Sequence, residues 1–287
     1  ADFSEVIVGI PVRLQPSGIT VLISRKMMKK ILMMVAVCSL CACTLQAQKA
    51  KTGKQAVSGV PSVTCVRAGS KSVSPPSGPS RHPLGKTARA LQRQGYVNVK
   101  DADSSIQVSL MYARPDNFCG VTLYDDLREA FLHPKAAKAL CEAQRFLKTL
   151  RPDLSLKVYD AARPMEIQQK MWNRVKDTPR DIYVSNPAHG GGMHNYGMAV
   201  DITLCDARGD TLPMGTKIDH MSSASHIDRE AALVSSGRLS PTAHSNRQLL
   251  RRVMRHAGWM PLRTEWWHFN LCSRATARQH YKVITLP

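Results

Sequence analysis

Acidic side chains are scarce in this 287-residue sequence: 21 Asp and Glu stand against 40 Lys and Arg, a formal charge of +19. Such an excess suggests a nucleic-acid binder until it is divided along the chain. Residues 1–93 hold 14 Lys and Arg against two acids, whereas residues 94–287 hold 26 against 19. The excess sits mainly ahead of the folded part, so no nucleic-acid partner is expected. Aromatics make up only 6%, which argues against an aromatic-rich all-β binding sandwich. No apolar run reaches the roughly 18 residues of a membrane span. No C-x-x-C pair occurs after Cys43, so a four-cysteine zinc site is not expected. The helical H-E-x-x-H motif is also missing, which removes the common helix-borne metallopeptidases. Ordinary core material is abundant: 43% hydrophobic and 21% charged residues suffice for one large domain or two modest ones.

The first ninety residues read mostly as leader and linker. Met27-Met28-Lys29-Lys30 precedes an apolar run from Ile31 to Val37 and then small residues. A positive start, an apolar centre and a small-residue exit describe a secretory signal over 27–47. Cleavage after Ala47 yields a soluble periplasmic protein; alternatively Leu40-Cys41-Ala42-Cys43 resembles a bacterial lipobox with Cys43 as a lipid anchor facing the periplasm. Residues 1–26 read as an upstream extension of the reading frame. Residues 48–87, rich in Lys, Ser, Gly and Pro, lack helix or strand period and read as a flexible linker. The folded domain is expected over 88–287. Five cysteines remain beyond the signal (65, 119, 141, 205 and 272). Export permits a disulfide, while Cys141 and Cys272 read as small buried hydrophobes.

The folded part reads as α+β, with a small mixed or antiparallel sheet flanked by helices. Strands are expected at 106–112, 156–160, 198–204 and 264–271. Helices are expected over 128–150, from Pro164 to Val175, and over 245–257 with Gly258 closing the last. In the third strand Val200, Ile202 and Leu204 share one face, and Asp201 and Thr203 share the other.

Four segments carry chemistry. In His194-Asn195-Tyr196-Gly197-Met198-Ala199-Val200-Asp201 a Gly-rich loop delivers an imidazole beside a strand-borne carboxylate. An unpaired carboxylate in an apolar strand is costly, and a divalent metal shared with His194 supplies a partner. Thr264-Glu265-Trp266-Trp267-His268-Phe269 adds an acid and a second imidazole among aromatics. Together these make the inventory of a catalytic zinc: three N/O ligands, an open position and a free carboxylate for proton transfer. Glu265 among tryptophans is expected to have a raised pKa. Residues i and i+3 of a regular strand face opposite sides, so the backbone between Glu265 and His268 has to bulge or bend if both reach one water. In Tyr159-Asp160-Ala161-Ala162-Arg163-Pro164, Arg163 offers a guanidinium for an oxyanion, although a structural Asp160–Arg163 pair is as natural. Finally, Asp219 in Pro213-Met214-Gly215-Thr216-Lys217-Ile218-Asp219-His220-Met221 offers an anion for a substrate ammonium.

These segments, together with Tyr112-Ala113-Arg114-Pro115-Asp116-Asn117-Phe118-Cys119-Gly120 and the Asn246-Arg247…Leu250-Arg251 stretch, resemble the D-alanyl-D-alanine dipeptidases, the VanX-type zinc D,D-dipeptidases. The similarity runs in order from Tyr112 to Phe269. It implies one Zn2+ per chain on His194, Asp201 and His268, with Glu265 as general base and acid and Arg163 at the transition state. It places Tyr112, Asp160 and Asp219 near a small D,D-dipeptide, with Asp219 at the free amine. One departure concerns fine specificity: the family commonly has serine two residues before the first ligand, and here that position is Gly192. A zinc D,D- or L,D-carboxypeptidase acting on longer peptidoglycan peptides would share the ligand set. A non-catalytic, zinc-bearing peptidoglycan-binding protein would need neither Glu265 nor Arg163. The sequence is silent on oligomeric state.

Overall fold

A computed structural model of the chain describes residues 83–286. The secretory signal, Cys43, the 1–26 extension, Cys65 and nearly all of the linker lie outside the described residues. Helix α1 (Lys86–Arg93) begins slightly ahead of the expected start at 88. Its amphipathic pattern explains this: Ala88 and Leu91 are buried, and the Thr87 amide donates to the Asp126 carboxylate at 3.1 Å.

Strands β1 (Val97–Asn98) and β3 (Phe131–Leu132) form a small antiparallel pair. Short helix α2 (Val99–Ala102) follows β1. The main sheet has five strands: β2 (Gln107–Val108), β4 (Ser155–Asp160), β5 (Ala199–Cys205), β6 (Met260–Leu262) and β7 (Glu265–Asn270). Their order is β2-β4-β5-β7-β6. The β2–β4 pairing is parallel and the other three are antiparallel, the small mixed sheet expected. Helix α3 (Pro134–Leu150) packs on β4 and against α6 (Pro241–His256), which also contacts β5 and β6. Helices α4 (Met165–Val175), α5 (Glu230–Ser235) and α7 (Arg274–His280) complete the described helices.

Three boundaries differ from the sequence reading. Phe131 belongs to a strand rather than to the start of a long helix, and α3 begins at Pro134. Proline disfavours helical backbone in the residue before it and suits the first helical position; His133 caps the end, its ring accepting from the Lys135 amide at 3.3 Å. The third expected helix starts at Pro241 rather than 245, because the Ser240 side chain accepts from the Ala243 amide at 3.1 Å. The strand expected over 106–112 shrinks to Gln107–Val108. Met111–Ala113 coils into a single 3-10 turn, and the Tyr112 carbonyl is taken by the amides of Leu123 and Tyr124 at 2.8 and 2.9 Å.

Strand β5 is buried on both faces. Val200, Ile202 and Leu204 join the main core, each burial stabilising by about 1.5–3 kcal/mol. The opposite face carries Asp201 into the functional site. Cys119 and Cys205 are buried, whereas Cys141 and Cys272 are only half-buried, and all four are free thiols.

Candidate active site

Register in the sheet brings the expected metal ligands together. Asp201 on β5 lies directly across from His268 on β7, and cross-strand partners present their side chains on one face. His268 Nδ1 is 3.0 Å from Asp201 Oδ1. His194 comes from a 3-10 turn (Met193–Tyr196) just ahead of β5; its Nε2 is 3.2 Å from His268 Nδ1 and 3.3 Å from Asp201 Oδ2. The loop that delivers His194 needs glycine at 191. There φ is +67°, and a Cβ would come 2.3 Å from the Asn195 side-chain oxygen, which accepts instead from the Gly192 amide at 2.8 Å.

The second nitrogen of each imidazole is tied to an oxygen. His194 Nδ1 donates to the Ala161 carbonyl at 2.7 Å, and His268 Nε2 donates to Asn270 Oδ1 at 2.8 Å. With those nitrogens protonated, the lone pairs of Nε2 and Nδ1 converge on Asp201. This is the outer-shell arrangement that orients metal-binding histidines. The three ligand atoms all lie within 4.8 Å of one another and are largely buried. Burial alone would raise the Asp201 pKa; a second proton on His194 and His268, whose charge and hydrogen bonds outweigh burial, holds the carboxylate below its ordinary range when no cation takes that place. Two neutral imidazoles and a carboxylate fit a divalent metal ion.

Glu265 starts β7 and is buried, with its Oε2 4.0 Å from His268 Nδ1. The required irregularity is present. Opposite β6, the partner shifts from Phe269 to Glu265 as β6 advances from Pro261 to Leu262, so the strand between Glu265 and His268 bulges. Burial pushes Glu265 up to about 8; His268 draws it down, while Asp201 and Asp219 add to the rise.

Arg163 lines the same cavity, of about 460 Å³, with Glu265, Asp201, His194, His268, Tyr112 and Asp219. Its Nε and Nη2 donate to Asp160 Oδ2 at 2.9 and 2.6 Å, and Nη1 donates to Gln168 at 2.8 Å. A guanidinium has five N–H donors, so some remain for a developing negative charge. Burial opposes its protonation, but Asp160 and neighbouring groups keep Arg163 firmly charged.

Asp160 is the correction. Expected near the substrate, it is fully buried beneath Arg163 and does not line the cavity. It accepts from Tyr124 at 2.6 Å as well as from Arg163. An unpaired guanidinium so deep would be costly, and Asp160 is its partner. The structural pair and the cavity-facing cation are therefore one device.

Tyr112 and Asp219 meet in the wall. The buried Tyr112 hydroxyl donates to Asp219 Oδ2 at 2.9 Å, and its ring lies 5.3 Å from the Arg163 guanidinium. Asp219 has φ of +61°, a strained backbone for a non-glycine residue. Burial raises its pKa to about 7, aided by the Asp201 charge and opposed by the Tyr112 hydrogen bond.

The segment carrying Asp219 is pinned by Arg247 of α6, fully buried. Its Nε donates to the Met214 carbonyl at 2.7 Å and its Nη2 to the Ala224 carbonyl at 3.1 Å. Its guanidinium sits 5.5 Å over the Trp266 ring, next in sequence to Glu265. Trp266 in turn donates to Thr216 at 2.8 Å. Buried Glu230 faces both Arg247 and Arg251.

Sequence reasoning missed Tyr124, Gln168 and Ser185. None stands in a recognisable pattern, so only tertiary proximity reveals them. Arg247 lay within the resembling stretch but carried no role. The space a side chain at 192 would take is bounded by Ser185: a Cβ on Gly192 would meet its hydroxyl at 2.9 Å.

Residues 92–286 match the family described as D-ala-D-ala dipeptidase. A D-alanyl-D-alanine dipeptidase of Escherichia coli (strain K12) is 32% identical over 171 residues, 60% of this chain and 81% of that protein. One from Synechocystis sp. is 27% identical over 175 residues, covering 50% and 70%. One from Enterococcus faecalis is 30% identical over 79 residues, covering 27% and 36%. The family match spans both metal-ligand segments and the Arg163 turn, and by it the chain belongs to the D-Ala-D-Ala dipeptidase family of metallopeptidases.

Proposed function

We propose that this chain is a zinc dipeptidase that hydrolyses D-alanyl-D-alanine. The observation that carries the reading is the convergence of His194, Asp201 and His268 beside a carboxylate, Glu265, that is not one of the three ligands. One zinc ion per chain would be held by those three residues; when bound, it supplies a Lewis acid for the scissile carbonyl and makes water acidic enough to ionise near neutral pH.

The protein's own groups account for the rest. Glu265 takes the proton of the attacking water on a carboxylate oxygen and returns it to the leaving amine. Arg163, fixed by Asp160 and Gln168, stabilises the negative charge that develops on the carbonyl oxygen. Asp219, with the Tyr112 hydroxyl at its side, receives the dipeptide's ammonium. The export signal read at 27–47 assigns this activity to the periplasm, either free or tethered through lipidated Cys43; fatty-acid labelling with and without Cys43→Ser separates the two.

Glu265→Ala tests the division of labour. Turnover of D-Ala-D-Ala is expected to fall by about 10²–10⁴-fold, with zinc stoichiometry unchanged. Loss of zinc in that variant would make Glu265 a ligand rather than the base.

A further inference from the structure

A free dipeptide carries a carboxylate as well as an ammonium. Tyr112, Asp201, Asp219 and Glu265 give much of the cavity wall an acidic or neutral character, so they do not suit the carboxylate end. Two arginines line the cavity, Arg163 and Arg274. The Arg163 guanidinium is neutralised by Asp160 and bonded to Gln168. Arg274 is exposed and makes no ion pair among the described residues. It follows β7 by four residues in the chain, and its Nη2 donates to the Ser185 hydroxyl at 3.0 Å.

The geometry at Ser185 shows that room for this contact depends on Gly192. A side chain at 192 would begin 2.9 Å from the Ser185 hydroxyl and 3.2 Å from its Cβ. With glycine there, the hydroxyl takes that space at the cavity lining and holds the guanidinium. A cation that lines a small-ligand cavity and has no internal counter-ion is matched to an anionic group of the ligand.

We propose that Arg274, oriented by Ser185, binds the C-terminal carboxylate of the peptide substrate and makes this chain selective for peptides ending in a free acid. The inference rests on the peptidase reading above. A charge-assisted hydrogen bond from an exposed guanidinium corresponds to about tenfold in affinity.

The test compares D-Ala-D-Ala with its C-terminal amide. Binding of both is measured calorimetrically on the full-length, metal-loaded Glu265→Gln protein, alone and with Arg274→Gln or Arg274→Lys added. The acid is expected to bind about tenfold more tightly than the amide. Arg274→Gln is expected to erase that preference without changing affinity for the amide, and Arg274→Lys to restore part of it. A preference that survives Arg274→Gln, or no preference at all, overturns the proposal. Turnover of D-Ala-D-Ala by the unsubstituted protein keeps the two failures apart. Cleavage with an acid-to-amide ratio indifferent to Arg274 removes this inference alone. Absence of both cleavage and binding removes the peptidase reading with it.

Discussion

The floor and the wall of the cavity are built on different principles. The floor is strand-borne: Asp201 and His268 face each other across a ladder whose register admits one pairing, and each histidine is locked by an oxygen behind it. The wall is a loop. Asp219 sits on an irregular segment from Pro213 to Ser225 that relies on side-chain bonds from Arg247, Asn246 and Trp266 for its position. Register is maintained by many backbone bonds at once, whereas a loop pinned by few side chains fails when one is removed. The metal centre should therefore tolerate damage to the wall, and substrate binding should not.

The largest expected effect comes from breaking the floor. His268→Ala removes one of three ligands and leaves Asp201 with a lone imidazole. Bound metal and turnover should both fall to background, as read by metal analysis and peptide hydrolysis on the same sample. Retention of stoichiometric metal would dissolve the contrast, because the strand pair would then not be what holds the ion.

Breaking the wall should produce a different signature. Arg247→Met leaves Glu230 with one cation fewer in a buried setting and frees two loop carbonyls. Removal of one partner from a buried pair costs about 3–5 kcal/mol, which denaturant unfolding would detect. In the surviving folded fraction KM should rise while metal stoichiometry stays whole. Loss of metal alongside KM would show that floor and wall form one cooperative unit.

A subtler effect sharpens the wall. The Asp219 carboxyl titrates near 7 in the folded chain and near 3.9 when unfolded. Between pH 4 and 7 the folded state holds a proton that the unfolded state has lost, so this residue's contribution to stability falls as pH rises. Asp219→Asn abolishes that dependence. The metal-stripped variant should match the parent's Tm near pH 4 and exceed it increasingly up to about pH 7, then level off. A constant Tm difference across that range would mean that the Asp219 environment is not the desolvated one described.

The same contrast explains what the sequence could disclose. His194, Asp201, Glu265 and His268 stand in short local patterns, and the bulge between Glu265 and His268 followed from strand periodicity once both were required to reach one water. The strands at 155–160, 199–205 and 265–270 were legible because dense apolar residues mark them. Asp160 was visible as a candidate but misplaced, since nothing local says whether a carboxylate faces a ligand or lies beneath an arginine that does. Tyr124, Gln168, Ser185 and Arg274 were invisible because ordinary residues acquire their roles only when distant segments meet. The 106–112 segment misled for a related reason: its alternation is real, but the Tyr112 carbonyl is claimed by a loop rather than by a neighbouring strand.

The claim beneath all of this is that two strands and one glycine-supported turn hold a single zinc ion. Anomalous diffraction at the zinc absorption edge, on crystals grown with zinc, tests it most directly. One strong peak is predicted, within bonding distance of His194 Nε2, an Asp201 carboxylate oxygen and His268 Nδ1, with Glu265 outside the coordination shell. A peak coordinated by Glu265 in place of any of these residues, or none at this position, would contradict the account.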